Sequence, residues 1–227
     1  MKLRKTLIVT LLFAAAGCSG PKTYPLQSKQ AASGDWTLPY GEWSFYFQTP
    51  AGLPAQVSFA RVIDTDGYLY TFNTLDGTGE DPDSIGKWAN MRGGGLVHFN
   101  KVKKPPQYMV FCWDSLIDKK TYETSVVFSP ETWQQMKTPV DQSDGGRHSD
   151  WYDYMVFGLA PEGKVRIGLP DTANYPTPLI KPINLQTRSG ADLTLCKGKT
   201  RHPDGYDDIE SIQNFIKGKT YPYGDWD

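Results

Sequence analysis

Changes in hydrophobic pattern divide the chain. A short continuous apolar run covers residues 7–16, preceded by Lys2, Arg4 and Lys5. Residues 19–34 are polar, with prolines early and small residues late, and carry too little apolar content to pack. From Trp36 onward the apolar positions recur with the period of a strand. Residues 42–47 set Trp43, Phe45 and Phe47 on one side and Ser44 and Tyr46 on the other. Residues 56–63 and 68–72 predict two more strands, and Asp64-Thr65-Asp66-Gly67 between them is a hairpin signal. A further strand is expected over 96–102.

Residues 106–116 are almost continuously apolar, the pattern of a strand buried on both faces, which places them at the centre of a sheet. Across the polar Asp118-Lys119-Lys120 turn, residues 122–128 return as the partner strand. Residues 152–159 and 164–169 form another pair joined by Ala160-Pro161-Glu162-Gly163, and 192–196 reads as a late strand. Two helices interrupt the strands. Ser129-Pro130-Glu131 supplies an N-cap, a proline at the first helical position and an acid in the first turn, starting a short helix through about residue 137. Residues 207–217 carry Ile209, Ile212, Phe215 and Ile216 at helical spacing, with Gly218 at the stop. The expected fold is mainly β: an antiparallel, sandwich-like single domain over 35–227, with a short mid-chain helix and a C-terminal amphipathic helix covering a sheet.

Composition agrees with that reading. Thirteen Tyr, ten Phe and seven Trp favour pleated, half-buried surfaces, while 22 Gly and 17 Pro supply turns. The N-terminal pattern adds an address. A basic start, a short apolar middle and Ala15-Ala16-Gly17 before Cys18 make a lipoprotein signal over 1–17. The apolar run is about half of the roughly 20 residues a membrane-spanning helix needs. Cys18 is the expected lipidation site, and 18–34 the tether. Ser19 stands where an aspartate would favour the inner membrane, so the expected location is the periplasmic face of the outer membrane. Without Lys2, Arg4 and Lys5, 21 basic and 25 acidic residues remain, a net charge of −4 that offers no basic patch to nucleic acid. Cys112 and Cys196 are then either one disulfide, worth roughly 4 kcal/mol on a chain-entropy argument, or two separate buried thiols.

No chemistry-bearing motif emerges. Asp64-x-Asp-Gly opens like a calcium loop, but Leu75 stands at the twelfth position where a glutamate is needed, so it reads as a turn. His98, His148 and His202 are scattered without metal-ligand spacing. Gly-x-Ser-x-Gly is absent, and Gly93 to Gly95 lacks the lysine and helix of a phosphate loop. Asp114 and Asp118 read as the polar end of a hairpin, together with Lys119 and Lys120. The acidic stretch 76–83, with Asp76, Glu80, Asp81 and Asp83, is either a solvated loop or a salt-sensitive contact for a basic partner. No catalytic residue, metal or cofactor is expected.

The hairpin Cys112-Trp113-Asp114-Ser115-Leu116-Ile117-Asp118-Lys119-Lys120-Thr121-Tyr122-Glu123-Thr124 resembles the signature of a family of Gram-negative lipoproteins, domain of unknown function 2931. Pro39-Tyr40-Gly41-Glu42-Trp43 and Phe157-Gly158-Leu159-Ala160-Pro161-Glu162-Gly163 fit the same family. The resemblance carries no catalytic residue to transfer. It implies that Trp113, Asp114, Ser115, Asp118, Lys119, Lys120, Tyr122 and Glu123 form a structural motif. Some relatives are similar to immunity lipoproteins that stand beside antibacterial phospholipase effectors delivered by type VI secretion. The expected role is therefore a non-enzymatic protein-binding module, plausible partners being such effectors. Two other readings are an envelope maintenance or assembly factor binding a resident protein or lipid, and a hydrolase whose site is assembled in space.

Overall fold

A computed structural model describes residues 31–91, 97–140, 151–170 and 177–227. Cys18, the signal, the tether up to residue 30, the Gly93 to Gly95 stretch and His148 lie outside the described residues.

The strands are β1 (Trp43–Pro50), β2 (Ala55–Asp64), β3 (Leu69–Phe72), β4 (Gly79–Asp81), β5 (Lys101–Val102), β6 (Pro106–Ser115), β7 (Lys120–Val127), β8 (Tyr154–Ala160), β9 (Lys164–Gly168) and β10 (Asn184–Ser189). Two short helices are α1 (Pro130–Met136) and α2 (Glu210–Ile216). One sheet is antiparallel throughout, in the order β10-β7-β6-β2-β3; the other is mixed, in the order β4-β1-β8-β9 with β5 also on β1.

The alternation of β1 explains the packing between them. Trp43, Phe45 and Phe47 are fully buried, and Phe47 meets Phe111 of β6 at 5.0 Å and Phe157 of β8 at 5.4 Å between ring centroids. Aromatic contacts of this geometry add to simple burial. β6 is the middle strand of its sheet, as its unbroken apolar run predicts: Met109, Phe111 and Trp113 face the core, and Val110 and Cys112 are buried on the other face.

Local signals behave as read. At the β2–β3 turn, Asp64 Oδ1 accepts from the amides of Asp66 (3.0 Å) and Tyr68 (2.9 Å), and Gly67 takes φ +85°. Burial holds the Asp64 carboxyl above the ordinary carboxylate value, against the pull of those bonds. Its charged form is thus less at home in the fold than in the unfolded chain. Stability from this group should rise as pH falls through the folded-state value. Asp64→Asn keeps the turn acceptor and removes the buried charge. Its denaturation midpoint should match or exceed wild type at pH 7, and that advantage should shrink on acidification.

In α1, Ser129 accepts from the Thr132 amide at 3.4 Å, Pro130 opens the helix, and the Trp133 indole donates to the Pro106 carbonyl at 2.6 Å. Ser129→Ala should cost about 1 kcal/mol in chemical denaturation.

Four expectations are corrected. First, β1 runs parallel to both β4 and β8; such pairings need long crossovers that local alternation cannot report. Second, the strand expected over 96–102 shrinks to Lys101–Val102. The amides of His98, Phe99 and Asn100 donate instead to the Asp76 carboxylate at 3.1 Å. Third, 192–196 is not a strand, because the Thr194 and Cys196 amides donate to Glu123; the late strand is β10, whose polar edge sequence NLQTRS hides it. Fourth, the C-terminal helix is only Glu210–Ile216, buries Ile212 alone and leaves Ile209 40% exposed. Its Phe215 and Ile216 pack on Leu53, Trp88, Ala160 and Trp226, a small cluster at the end of the sandwich beyond the main core.

Candidate functional site

The β6–β7 hairpin sends one row of side chains inward and one outward. Inward, Trp113 and Tyr122 stack at 4.6 Å, and the Trp113 indole donates to Thr124 Oγ1 at 2.9 Å. Outward, Cys112, Asp114 and Glu123 meet the C-terminal segment. The turn is fixed by Ser115, whose Oγ accepts from the Asp118 amide at 3.1 Å, and by Lys119 at φ +50°.

Each of the three carboxylates is filled by donors from its own chain. Asp114 is fully buried and accepts from the hydroxyls of Thr121 (2.6 Å), Thr200 (2.9 Å) and Tyr206 (2.9 Å) and from the Arg201 amide (2.7 Å). Asp118 accepts from the Tyr221 hydroxyl (2.7 Å), the Tyr122 hydroxyl (2.9 Å) and the Glu162 amide (3.0 Å). Glu123 accepts from the Thr194 hydroxyl (2.5 Å) and amide (2.9 Å) and from the Cys196 amide (2.8 Å). Beside Glu123, Cys112 and Cys196 are joined by a disulfide with Cα atoms 5.3 Å apart. At the tip Lys119 pairs with Asp208, while Lys120 lies on the exposed side.

Electrostatics reinforce this direction of donation. Burial first, and then the charge of Asp118 and the hydrogen bond to it, push the Tyr122 and Tyr221 hydroxyls well above their ordinary value. Both stay protonated donors at neutral pH. A carboxylate whose lone pairs are occupied in this way is poorly placed as a general base or a metal ligand, since any new partner must displace an existing donor. Among the described residues, no group of three His, Cys, Asp or Glu could hold a metal ion. His98 lies on the surface 3.7 Å from Asp76, and His202 stacks on Tyr206 at 4.7 Å.

The acidic stretch 76–83 is folded rather than simply solvated. Gly79–Asp81 is a strand on β1, and a Cβ at Gly79 would come within 1.8 Å of the Tyr46 hydroxyl, so a larger residue there would have to displace that ring. Asp76 caps the 98–100 amides, Glu80 accepts from the Gly52 amide at 3.0 Å, and buried Asp81 accepts from Ser84 Oγ at 2.7 Å and the Asp83 amide at 3.1 Å.

Thr194, Thr200, Arg201, Tyr206 and Tyr221 belong to no motif that would announce them. The available signal was tyrosines inside a polar, Gly- and Pro-bearing tail, since a ring there must find both cover and an acceptor.

A sequence model described as "Protein of unknown function (DUF2931)" matches residues 19–224. The chain belongs to the DUF2931 family. No curated protein and no solved structure is significantly similar to it. In this DUF2931 chain the β6–β7 hairpin is a clasp: its three carboxylates and one cysteine hold residues 194–221 against the outer face of the antiparallel sheet.

Proposed function

We propose that this DUF2931 protein is a lipid-anchored binding protein at the periplasmic face of the outer membrane. Its partner, on this reading, is an antibacterial phospholipase effector, which it neutralises by covering the effector's surface. The observation that supports a binding role is the saturation of the signature carboxylates by the chain's own hydroxyls and amides. The hairpin that marks the family builds a rigid body; what such a body offers a second molecule is shape and surface chemistry. A steric block needs a complementary face with a few well-packed anchors, not a reacting group. The anchor at Cys18 places that face where an incoming effector would act.

The test is capture. Membrane-extracted protein, immobilised at moderate salt, should retain the product of the neighbouring gene. Failure to retain it removes this reading.

A further inference from the structure

We infer that the β2–β3 turn, through Tyr68 and Leu69, seats the folded body on an anionic phospholipid surface. This inference rests on the anchoring part of the reading above, not on the effector.

The first described residues come in beside this turn. The Ala32 amide donates to the Thr65 carbonyl at 2.7 Å. Trp36 packs edge-on against Trp133, Lys137 donates to the Asp35 carbonyl at 2.7 Å, and Lys104 donates to Thr37 Oγ1 at 2.6 Å. The chain that leads back to Cys18 therefore leaves from the same pole of the sandwich. Between Cys18 and Ala31 it spans at most about 45 Å even when fully extended. A tether this short holds the body at millimolar effective concentration over the lipid, so a weak contact is enough to orient it.

At this pole the two residues that follow the turn project outward. Tyr68 is 68% and Leu69 49% exposed. Leu69 begins β3, the last strand of its sheet, and Tyr68 directly precedes it; among the described residues no strand pairs on their outer side. The turn that presents them is pinned by the Asp64 bonds to the Asp66 and Tyr68 amides and by a return bond from the Asp64 amide to the Tyr68 carbonyl at 3.0 Å. Lys103 is exposed on the adjoining β5–β6 connection, where the Thr65 amide donates to the Pro105 carbonyl at 2.8 Å, while Lys104 beside it pairs with Asp66 of the turn at 3.7 Å and so offsets that carboxylate. A tyrosine and a leucine on a pinned turn, with the exposed Lys103 beside it, match the headgroup boundary: the ring sits at the interface, the aliphatic chain enters it and the cation meets a lipid phosphate. The signature hairpin closes the opposite end of β6, about 30 Å away along the strand.

The experiment uses the full acylated protein. With Cys18 acylated and Cys112 bridged to Cys196, a cysteine introduced by Leu69→Cys or Ile85→Cys is the one free thiol. Ile85 is 64% exposed beside the cluster at the far end of the sandwich and serves as the control. Each variant is labelled with an environment-sensitive fluorophore and placed on phosphatidylethanolamine–phosphatidylglycerol vesicles carrying nitroxide-labelled lipid. The label at 69 should be quenched at least about twofold more strongly than that at 85, because interfacial residues sit about 5–10 Å into the headgroup boundary. Tyr68→Ser in the Leu69→Cys background should weaken the difference. Equal, water-like signals at both positions overturn the inference. So does a label at 69 that ignores lipid but becomes shielded when the effector is added, which would assign the turn to a protein. Failure to capture an effector leaves the vesicle result untouched. A mass showing Cys18 without acyl chains removes the anchoring reading instead.

Discussion

Replacing Cys112 and Cys196 together by alanine is expected to lower the unfolding free energy by about 4 kcal/mol, because the bridge closes a long loop of the unfolded chain. The two cysteines are 84 residues apart in sequence and fully buried. They form a small cluster with Phe59, Leu193 and Leu195, outside the main core. Beyond the backbone leaving β10, no other covalent link among the described residues ties the C-terminal segment to the antiparallel sheet. Alanine is the informative substitution, since it avoids leaving a buried hydroxyl in that cluster. Denaturant unfolding under oxidising conditions gives the value; proteolysis should begin near residues 193–200. A loss below about 1 kcal/mol would mean that the hydrogen bonds hold the segment without the bridge.

Asp114→Ala should be nearly as damaging, at roughly 3 kcal/mol, because it strands several donors at once. Thr121, Thr200, Tyr206 and the Arg201 amide all lose the same acceptor. Asp114→Asn keeps one oxygen and should recover part of the loss. The disulfide and Asp114 secure the same stretch of chain, so the combined variant should lose less than the two effects added, as expected for sites that share an element. Full additivity would show two independent attachments rather than one clasp.

These effects also show which features were legible in the sequence. The β6 run, the Asp64–Gly67 turn and the Ser129-Pro130-Glu131 helix start are short-range signals, and each sits where its residues predict. β10 is silent in the sequence because an exposed edge strand needs no apolar alternation, and 192–196 has the pattern of a strand but not its ladder because Glu123 takes the amides a ladder would use. The same limit applies to the clasp. Asp114, Asp118 and Glu123 stand in the hairpin, but apart from Thr121 and Tyr122 their partners lie 44 to 103 residues further on. Only folding reveals that the acids are acceptors for the chain's own tail. The acidic stretch 76–83 illustrates the converse: a run of charges in sequence becomes a strand and a set of caps.

The most direct test of the proposed role is titration of the full acylated protein into phospholipid vesicles being hydrolysed by the phospholipase effector it is proposed to block. Hydrolysis should fall in proportion and stop near one equivalent, with the clasp intact and no turnover by the anchored protein itself. Hydrolysis that continues unchanged at a molar excess of folded, acylated protein would contradict the account.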